Sequence, residues 1–231
     1  MRLKGKTALV TGGNRGIGFE VCRLLAEEGA AVILGSRDKE NGIRAAEELR
    51  KGGHAIHVVS VDMSDTASVL LCVKQLNNGV DILINNAAVL DHGSILDLDD
   101  SELEYTIRTD LIGPAILAKH LAIPMKERGW GRIVNASSGM GAISRGLGSE
   151  SAGYRLSKLG LNGFTVCLAE ALRNSGVLVN SVDPGWVRTA MGGPMARKTP
   201  VEGAREFLYA VLLPDDGPSG FFFRGGKKVD W

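Results

Sequence analysis

Short apolar runs rich in β-branched residues alternate along this chain with longer segments whose apolar residues recur at helical spacing. Strands connected through helices of ten or more residues form right-handed βαβ units, and helices cover both faces of the resulting parallel sheet. The near-continuous apolar character of the runs agrees, because such strands are buried on both sides. The alternation predicts an α/β fold with a doubly wound parallel sheet, its strands at residues 7–11, 31–34, 56–61, 81–84, 132–135, 177–182 and 220–223 and its helices at 16–28, 39–51, 66–76, 101–128, 152–174 and 201–213.

The predicted elements fit one domain spanning residues 1–231, and single α/β domains reach this length. Two irregular stretches remain, at residues 137–151 and 184–200, and each follows a predicted strand. Open α/β sheets bind their ligands outside the carboxyl ends of the strands. We therefore expect these two loops to form the substrate site.

Composition excludes several classes of function. The formal net charge is +1, which gives no reason to expect a nucleic acid or an acidic membrane surface as a partner. Hydrophobic residues make up 44% of the chain, as in an ordinary globular protein with a core. The first residues lead into a strand and not into a signal peptide, and no apolar run reaches about 18 residues. We expect a soluble, cytoplasmic protein.

The cysteines and histidines lack the spacing of a metal site. Cys22, Cys72 and Cys167 are far apart in apolar, helix-like segments, so we expect buried, reduced thiols. The four histidines show no ligand spacing with carboxylates or cysteines. The sequence predicts no bound metal.

A glycine-rich loop with the sequence TGGNRGIG, at residues 11–18, joins the first predicted strand to the first predicted helix. Glycines let the backbone approach a pyrophosphate, while the helix N-terminus supplies amide donors and a positive dipole. Such a loop can also be merely structural, but its place at the first βα turn favours a dinucleotide site.

The end of the second predicted strand distinguishes between the two nicotinamide dinucleotides. An acidic residue there hydrogen-bonds the ribose 2′-hydroxyl, whereas an arginine suits a 2′-phosphate. Arg37 stands just past the strand, Ser36 can donate to phosphate, and Arg15 comes from the facing loop, so the sequence favours NADP(H). Asp38 is the counter-evidence, and its alternative role is an N-cap for the next helix.

Tyr154 and Lys158 are four residues apart on a predicted helix and therefore share one face. A lysine so placed favours the phenolate and lowers the pKa of the tyrosine. With a hydroxyl donor from the Ser137–Ser138 pair upstream, this arrangement suits proton transfer at a carbonyl or an alcohol. By itself the spacing is also compatible with a half-buried tyrosine beside a solvated lysine.

With these motifs in order, the chain resembles the short-chain dehydrogenase/reductase family, a group of Rossmann-fold oxidoreductases, over nearly its full length. The match rests on the glycine-rich loop, on Ser138 with the Tyr154–Lys158 pair, and on the Asn-Asn-Ala-Ala stretch at 85–88, where Ala88 stands in place of the usual glycine. The remaining matching positions are Asp62, Asn180, Pro184, Gly185 and Thr189.

The resemblance implies the roles of individual residues. The implied catalytic group consists of Ser138, Tyr154, Lys158 and Asp110. The implied cofactor site consists of Gly12, Asn14, Arg15, Gly16, Ile17, Gly18, Arg37, Asp62, Met63, Asn86, Ala87, Tyr154, Lys158, Pro184, Gly185, Val187 and Thr189. In this interpretation Ser138 stabilises the developing oxyanion, Tyr154 gives it a proton, and Lys158 lowers the Tyr154 pKa and holds the cofactor ribose. Ser137 is expected to cap the strand end, although an exchange of roles between the two serines stays open.

Asp110 departs from the family pattern, which has an asparagine in the matching Asn-Leu-x-Gly stretch. In the family that side chain helps to hold a helix distortion and a water that relays protons to the lysine. An ionised aspartate accepts hydrogen bonds but cannot donate them, and it adds negative charge near Lys158. We expect the substitution either to be tolerated or to weaken the effect of Lys158 on Tyr154.

Residues 184–189 and 217–231 look most similar to the carbonyl-reductase-like branch of the family, which uses NADPH. Some members of that branch carry a long insertion before the catalytic tyrosine, and here a modest loop separates Ser138 from Tyr154. Because members with the insertion can be monomers, its absence implies a homo-oligomer, a dimer or a tetramer. Its subunits are expected to pair through the long helical segments at 101–128 and 152–174.

The implied activity is NADPH-dependent reduction of a small aldehyde or ketone, or the reverse alcohol oxidation. We expect the substrate pocket to come from residues 91–95, 139–151 and 186–200, with an apolar lining from Met140, Leu147, Trp186, Met191 and Met195. Two alternatives stay open. One is an NADP(H)-binding sensor or scaffold with weak or no catalysis, and the other is non-redox chemistry such as epimerisation or dehydration.

Overall fold

The computed structural model describes residues 1–77 and 79–231, and within them the chain forms one mostly parallel sheet with helices on both faces. The strands are β1 Thr7–Thr11, β2 Ala31–Ser36, β3 Ile56–Ser60, β4 Ile82–Asn85, β5 Gly131–Ala136, β6 Val177–Val182, β7 Phe222–Arg224 and β8 Lys227–Val229. The α-helices are α1 Gly16–Glu27, α2 Lys39–Lys51, α3 Thr66–Leu76, α4 Asp100–Ile107, α5 Gly113–Glu127, α6 Ala152–Ala171 and α7 Pro200–Val211.

The strand order is β3-β2-β1-β4-β5-β6-β7-β8. Strands β1 to β7 run parallel, and β8 pairs antiparallel with β7. The order reverses between β1 and β4, so loops from the two halves diverge there and leave a crevice at the carboxyl ends of the strands. This arrangement confirms the predicted doubly wound sheet with its Rossmann-type topology.

Two apolar layers hold the helices against the sheet. On one face α1 packs beside α7, and the layer includes Leu25 and Phe207. On the other face α3 packs beside α5, and the layer includes Leu117 and Val179. Strands β4, β5 and β6 are buried at every position, which explains why they lack a polar–apolar alternation.

The long helical segment predicted at 101–128 is interrupted. One turn of π-helix, Arg108–Ile112, separates α4 from α5 and carries Asp110. A Cβ atom on Gly113, the next residue, would lie 2.1 Å from the Met63 carbonyl oxygen, so close packing against that backbone requires glycine there. Such bulges arise from tertiary contacts, and apolar periodicity does not reveal them.

Strand β8 was not predicted from the sequence. It pairs with β7 through a two-residue turn at Gly225 and Gly226, whose φ angles are +61° and +69°. A Gly-Gly pair between short strands is a recognised hairpin signal, but β8 has the polar sequence Lys-Lys-Val and lacks a strand pattern. Strands β1 and β6 and helices α2 and α3 have the predicted boundaries, and the remaining element ends lie within three residues of the predicted ones.

Across the described ranges, no helix has both the length and the apolar character that crossing a membrane would require.

Candidate active site

A cleft of about 1040 Å³ lies along the carboxyl ends of the strands, where the sheet order reverses. It is lined by all of the residues predicted to bind a cofactor, together with Ser138. Of the implied catalytic and cofactor residues, Asp110 alone is absent from the cleft wall within the described chain, and its side chain is completely buried behind Lys158. The structure thus brings together residues from seven segments of the sequence.

The glycine-rich loop at one side of the cleft is shaped by close backbone approaches. Gly12 and Gly16 have φ angles of +64° and +57°, and a Cβ atom on Gly18 would lie 2.3 Å from the Gly12 carbonyl oxygen. Asn86 supports the loop from the end of β4, because its Nδ2 donates to the Thr11 carbonyl oxygen at 2.9 Å. The loop is therefore a tight cradle that side chains larger than hydrogen would fill.

The first turn of α1 is suited to an anion. The described residues of this helix include no acidic side chain in the first turn, and the N-cap residue Arg15 makes no side-chain capping bond. The amide groups of the first turn and the helix dipole therefore point toward the cleft without a competing carboxylate. Cradle, amides and cleft length together fit the pyrophosphate of a dinucleotide.

At the far end of the cleft, Arg37 and Asp62 lie where the resemblance places the adenosine part of a cofactor. Nη1 of Arg37 donates to the Tyr105 hydroxyl at 2.5 Å, so a side chain from α4 holds the guanidinium. Asp38 accepts a hydrogen bond from the Asn41 amide at 2.8 Å and caps α2, which matches its alternative role. The Ser36 hydroxyl donates to the Asp38 carbonyl oxygen.

The opposite end of the cleft contains Ser138, Tyr154 and Lys158. The Ser138 oxygen accepts from the Met140 amide at 3.1 Å, and Nζ of Lys158 lies 5.2 Å from the centre of the Tyr154 ring. The neighbouring hydroxyl of Ser137 instead donates to Oδ1 of Asn162 at 2.6 Å. Because that hydroxyl is committed to a buried amide, Ser138 is the better placed of the two serines to meet a substrate.

Opposing effects act on the pKa of Tyr154. Burial raises it, the positive charge of Lys158 lowers it, and the negative charge of Asp110 raises it again. A hydrogen bond with Ser138 lowers it in turn, and the net direction is upward. The phenol is therefore protonated at neutral pH and can serve as a proton donor.

Asp110 forms a buried ion pair with Lys158. Oδ2 of Asp110 lies 3.0 Å from Nζ, and the two side chains are 0% and 2% exposed. The contact lacks the angles of a regular hydrogen bond, whereas Oδ1 accepts from the Val89 amide at 2.8 Å. Burial raises the pKa of Asp110 against the lowering effect of Lys158. Burial alone would lower the pKa of Lys158, but Asp110 and Tyr154 reverse that effect and raise it.

The N-terminus of α6 depends on Asp91, which sequence reasoning assigned to the substrate pocket. This buried carboxylate accepts hydrogen bonds from the Gly153 and Tyr154 amides, at 3.2 and 2.6 Å. It therefore caps the helix that carries Tyr154 and is absent from the described cleft wall. The helix start gave no signal for this cap, because Asp91 is about 60 residues away in sequence and adjacent in space through the tertiary fold.

Of the five side chains expected to give the pocket its apolar lining, Met140, Trp186 and Met191 line the cleft. Leu147 and Met195 do not contribute to the described wall. Arg145, from the loop expected at the pocket, also lines the cleft, and it forms one charged cluster with Asp183 and Arg224, which the sequence did not suggest.

Asn180 and Thr189 differ in what they contact. Asn180 is buried in β6, where its Nδ2 donates to the Pro218 carbonyl oxygen at 2.8 Å and its Oδ1 accepts from the Phe221 amide at 3.0 Å. It fixes the segment leading into β7 and is absent from the described cleft wall. Thr189 lies in the wall, with its Cγ2 beside Gly16 of the glycine-rich loop.

Cys22 and Cys72 are buried free thiols as expected, but Cys167 is exposed on α6. Burial raises the pKa of Cys72 to about 11, so this thiol is protonated at neutral pH. Among the described residues, no group of three or more His, Cys, Asp or Glu side chains has the geometry to hold a metal ion.

A doubly wound sheet with a glycine-rich first turn and a tyrosine–lysine pair at the cleft is the framework of Rossmann-fold oxidoreductases that use a nicotinamide cofactor. Residues 6–200 match the family described as short chain dehydrogenase. The chain belongs to this family, the short-chain dehydrogenases/reductases, and is an oxidoreductase.

Relatives with known names support this assignment. The chain is 38% identical over 193 residues to an uncharacterised oxidoreductase of Thermotoga maritima, covering 81% of this chain and 73% of the relative. It is 31% identical over 277 residues to carbonyl reductase [NADPH] 1 of Sus scrofa, covering 98% and 94% of the two chains. A metagenomic short-chain oxidoreductase solved in complex with NADP superposes with a TM-score of 0.83 at 30% identity, over 95% of this chain and 96% of the other.

Proposed function

We propose that this protein is an NADPH-dependent reductase that transfers a hydride to the carbonyl of a small aldehyde or ketone, and that catalyses the reverse alcohol oxidation. One observation carries the proposal. A single cleft holds the glycine-rich loop and Arg37 at one end and Ser138, Tyr154 and Lys158 at the other. A dinucleotide bound along it would extend from the adenosine contacts to the proton donor.

The choice of NADP(H) rests on two arginines and on the relatives. Arg15 and Arg37 both line the adenosine end, where their guanidinium groups suit a 2′-phosphate. The pig relative is named as an NADPH enzyme, and one structural neighbour was solved with NADP. Asp38 does not compete for the ribose, because its carboxylate caps α2. The other residues that we propose to contact the cofactor are those that the family resemblance implies.

NADPH, when bound, supplies the hydride. In the proposed reaction the Ser138 hydroxyl donates a hydrogen bond to the substrate oxygen and stabilises the negative charge that develops on it. Tyr154 gives its phenolic proton to the same oxygen, which completes the alcohol. The ammonium group of Lys158, held in the cleft by Asp110, stabilises the phenolate left behind.

The loops at 137–151 and 184–200 are proposed to enclose the substrate within a single domain spanning residues 1–231. Met140, Trp186 and Met191 from these loops line the described cleft. Methionine side chains adapt to different shapes, which favours a broad range of carbonyl compounds. We also propose that the protein is a homo-oligomer that pairs through the face formed by α5 and α6.

Replacing the proposed acid provides the direct test. In Tyr154→Phe we expect kcat for NADPH-dependent carbonyl reduction to fall about 100- to 10,000-fold, because the proton donor is lost. The dissociation constant for NADPH, measured by fluorescence titration, should stay nearly unchanged. Tyr209→Phe, on the outer surface of α7 where the tyrosine is 40% exposed, is the control and should retain full activity. Undiminished turnover in Tyr154→Phe would show that another group is the acid.

The buried contact between Asp110 and Lys158 favours a second candidate, an NADP(H)-binding sensor or scaffold with weak or no catalysis. A carboxylate 3.0 Å from Nζ partly cancels the positive charge that tunes Tyr154. Titration of NADPH binding beside a turnover assay on a panel of aldehydes and ketones separates the two candidates. Tight binding without turnover on any compound would favour the sensor.

A further inference from the structure

The carboxylate of Asp183 joins three segments of chain beside the catalytic residues. Oδ2 accepts a hydrogen bond from the Gly139 amide at 3.1 Å, and Oδ1 accepts from the Gly185 amide at 2.8 Å. Nη1 of Arg224 lies 3.3 Å from Oδ2, and Nη1 of Arg145 lies 3.9 Å from the same oxygen. All three charged side chains line the cleft.

This cluster has one positive charge more than it has negative charges, because two guanidinium groups share one carboxylate. Asp183 is 6% exposed and its oxygens are occupied, whereas the side chains of Arg145 and Arg224 are 38% and 44% exposed. Each guanidinium has five N–H donors in a planar fork, so both keep donors that the carboxylate does not use. Both side chains line the cleft and are partly exposed, so their unused donors are accessible to a ligand there.

Two lysines near this end of the cleft are already paired. Lys158 is paired with Asp110. Lys198 is paired with Glu206 at 3.0 Å. The other acidic residues of the described wall, Asp38 and Asp62, belong to the adenosine end. Asp183 is therefore the one acidic side chain that the described cleft wall offers to the two guanidinium groups at the substrate end.

The cluster adjoins Ser138 through the next residue, Gly139, whose amide donates to Asp183. A Cβ atom on Gly139 would lie 2.6 Å from Nη1 of Arg145, so this guanidinium rests directly on the residue that follows Ser138. Arg224 reaches the same place from the end of β7. A ligand whose carbonyl meets Ser138 therefore has Arg145 and Arg224 beside the atoms next to that carbonyl.

We propose that Arg145 and Arg224 bind a carboxylate group on the substrate, so that the preferred substrates are small oxo acids with an apolar remainder. The proposal rests on the proposed reductase function and narrows its substrate class. The arginines' free donors match the two oxygens of a carboxylate, and Met140, Trp186 and Met191 match the apolar part. In the reaction the carbonyl carbon receives the hydride of NADPH and its oxygen receives the Tyr154 proton, which gives a hydroxy acid and NADP⁺.

A matched pair of compounds tests the charge requirement. We would compare 2-oxo-4-phenylbutanoate with its ethyl ester, which has the same carbonyl and phenyl groups but no charge. For the natural sequence we expect kcat/KM to be at least about 10-fold higher for the acid than for the ester. Arg224→Gln and Arg145→Gln should each lower kcat/KM for the acid about 10- to 100-fold. The same variants should change the ester's value by less than about 2-fold.

Arg173→Gln is the matched control, because this arginine lies in the turn after α6, is 67% exposed and pairs with Glu170 instead of with the cluster. It should leave both compounds unaffected. Arg224→Lys keeps the charge and should recover part of the acid's kcat/KM. Thermal unfolding of each variant identifies any loss that comes from misfolding. If the arginine variants lost kcat/KM equally for acid and ester, the arginines would have a structural role and the proposal would be overturned. An equal or higher kcat/KM for the ester in the natural sequence would also overturn it.

A binding measurement separates failure of this proposal from failure of the proposed reductase function. If neither compound is reduced, calorimetric titration of the protein–NADP⁺ complex with both compounds still reports on the arginines. Tighter binding of the acid, lost in Arg224→Gln, would support the carboxylate site even though the reductase proposal has failed. If the protein–NADP⁺ complex bound the acid no more tightly than the ester, the carboxylate-site proposal would be overturned.

Discussion

Asp110 is the residue whose chemistry departs furthest from the pattern that the sequence resembles. Its carboxylate connects the Val89 amide to Lys158, and both members of the ion pair are buried. In this position its charge acts on two neighbours, because it raises the pKa of Lys158 and also that of Tyr154. The residue therefore raises the pH at which the phenol loses its proton, in addition to the larger effect of burial.

Asp110→Asn should shift the pH dependence of alcohol oxidation. Oxidation requires Tyr154 as phenolate and is promoted by a charged Lys158. The oxidation rate therefore rises as the pH passes the pKa of Tyr154 and falls as the pH passes the pKa of Lys158. Removing the negative charge lowers both pKa values, since Asp110 raises each of them. Both limbs of the kcat–pH profile should move to lower pH, with a several-fold gain in rate on the rising limb.

The exposed first turn of α4 offers the control for this change. Asp100→Asn removes one negative charge at an exposed position and should leave the profile where it is. An unchanged profile in Asp110→Asn would show that the carboxylate does not control the proton donor. Loss of the folded state, checked by circular dichroism, would instead show that the ion pair is needed for stability.

Arg37 is the residue on which the choice of cofactor depends. Its guanidinium lies at the adenosine end of the cleft and is held by Tyr105. Arg37→Gln should lower the preference for NADPH over NADH about 10- to 100-fold, mainly through a higher KM for NADPH, because a charged hydrogen-bond donor to phosphate is lost. Kinetics with both cofactors measure this ratio, and Arg44→Gln on the outer face of α2 is the control. An unchanged ratio would contradict the assignment to NADP(H).

At the scale of elements, the helix that carries the proposed proton donor is fixed at its start by another segment. Ser151, the N-cap residue of α6, has a φ angle of +54° and makes no side-chain capping bond. Asp91 provides the cap instead and binds the amides of Gly153 and Tyr154. The position of Tyr154 therefore depends on the loop that follows β4.

Asp91→Ala should lower both stability and activity. Loss of two hydrogen bonds to a buried carboxylate is expected to cost about 1–3 kcal/mol of the free energy of unfolding, measured by urea denaturation. We expect kcat to fall more than the KM for the carbonyl substrate rises, because Tyr154 loses its fixed position while the pocket wall remains.

Asp65→Ala is the matched control for the Asp91 variant. Asp65 caps α3 by accepting from the Ala67 amide at 2.9 Å, and it lies outside the described cleft wall. Its loss should cost about 1 kcal/mol of stability without changing kcat. If Asp91→Ala also left kcat unchanged, its carboxylate would be a structural cap with no effect on the proton donor.

At the scale of the whole molecule, the face formed by α5 and α6 remains open to a partner subunit. A shallow apolar depression on this face includes Ile116, Phe164 and the exposed Cys167. Cys167→Glu should place a charge in that depression and shift the protein from oligomer to monomer in sedimentation velocity. Val166→Glu, on the next position of α6 at 43% exposure, points about 100° away and should not do so. A natural sequence that already sediments as a monomer would contradict the predicted oligomer.

Sequence patterns predicted the fold more completely than the site. Strands β1 and β6 and helices α2 and α3 have the predicted boundaries, because their apolar runs end at turn and cap residues. Apolar periodicity did not show the π-turn, although the family resemblance implied a helix distortion at Asp110. Strand β8 was missed because it depends on pairing with β7. The residues predicted for the cofactor follow short motifs and all line one cleft, whereas the charged cluster around Asp183 combines segments with no shared pattern.

The sequence by itself determined the order of strands and helices, the glycine-rich loop, the tyrosine–lysine pair and the family, because each depends on residues close together in the chain. The tertiary structure decided what each of these residues meets. It placed Asp110 against Lys158, Asp91 at the start of α6, and Arg145 and Arg224 around Asp183. Such contacts join residues tens of positions apart, and the charges and hydrogen bonds that tune a site act through short distances in space.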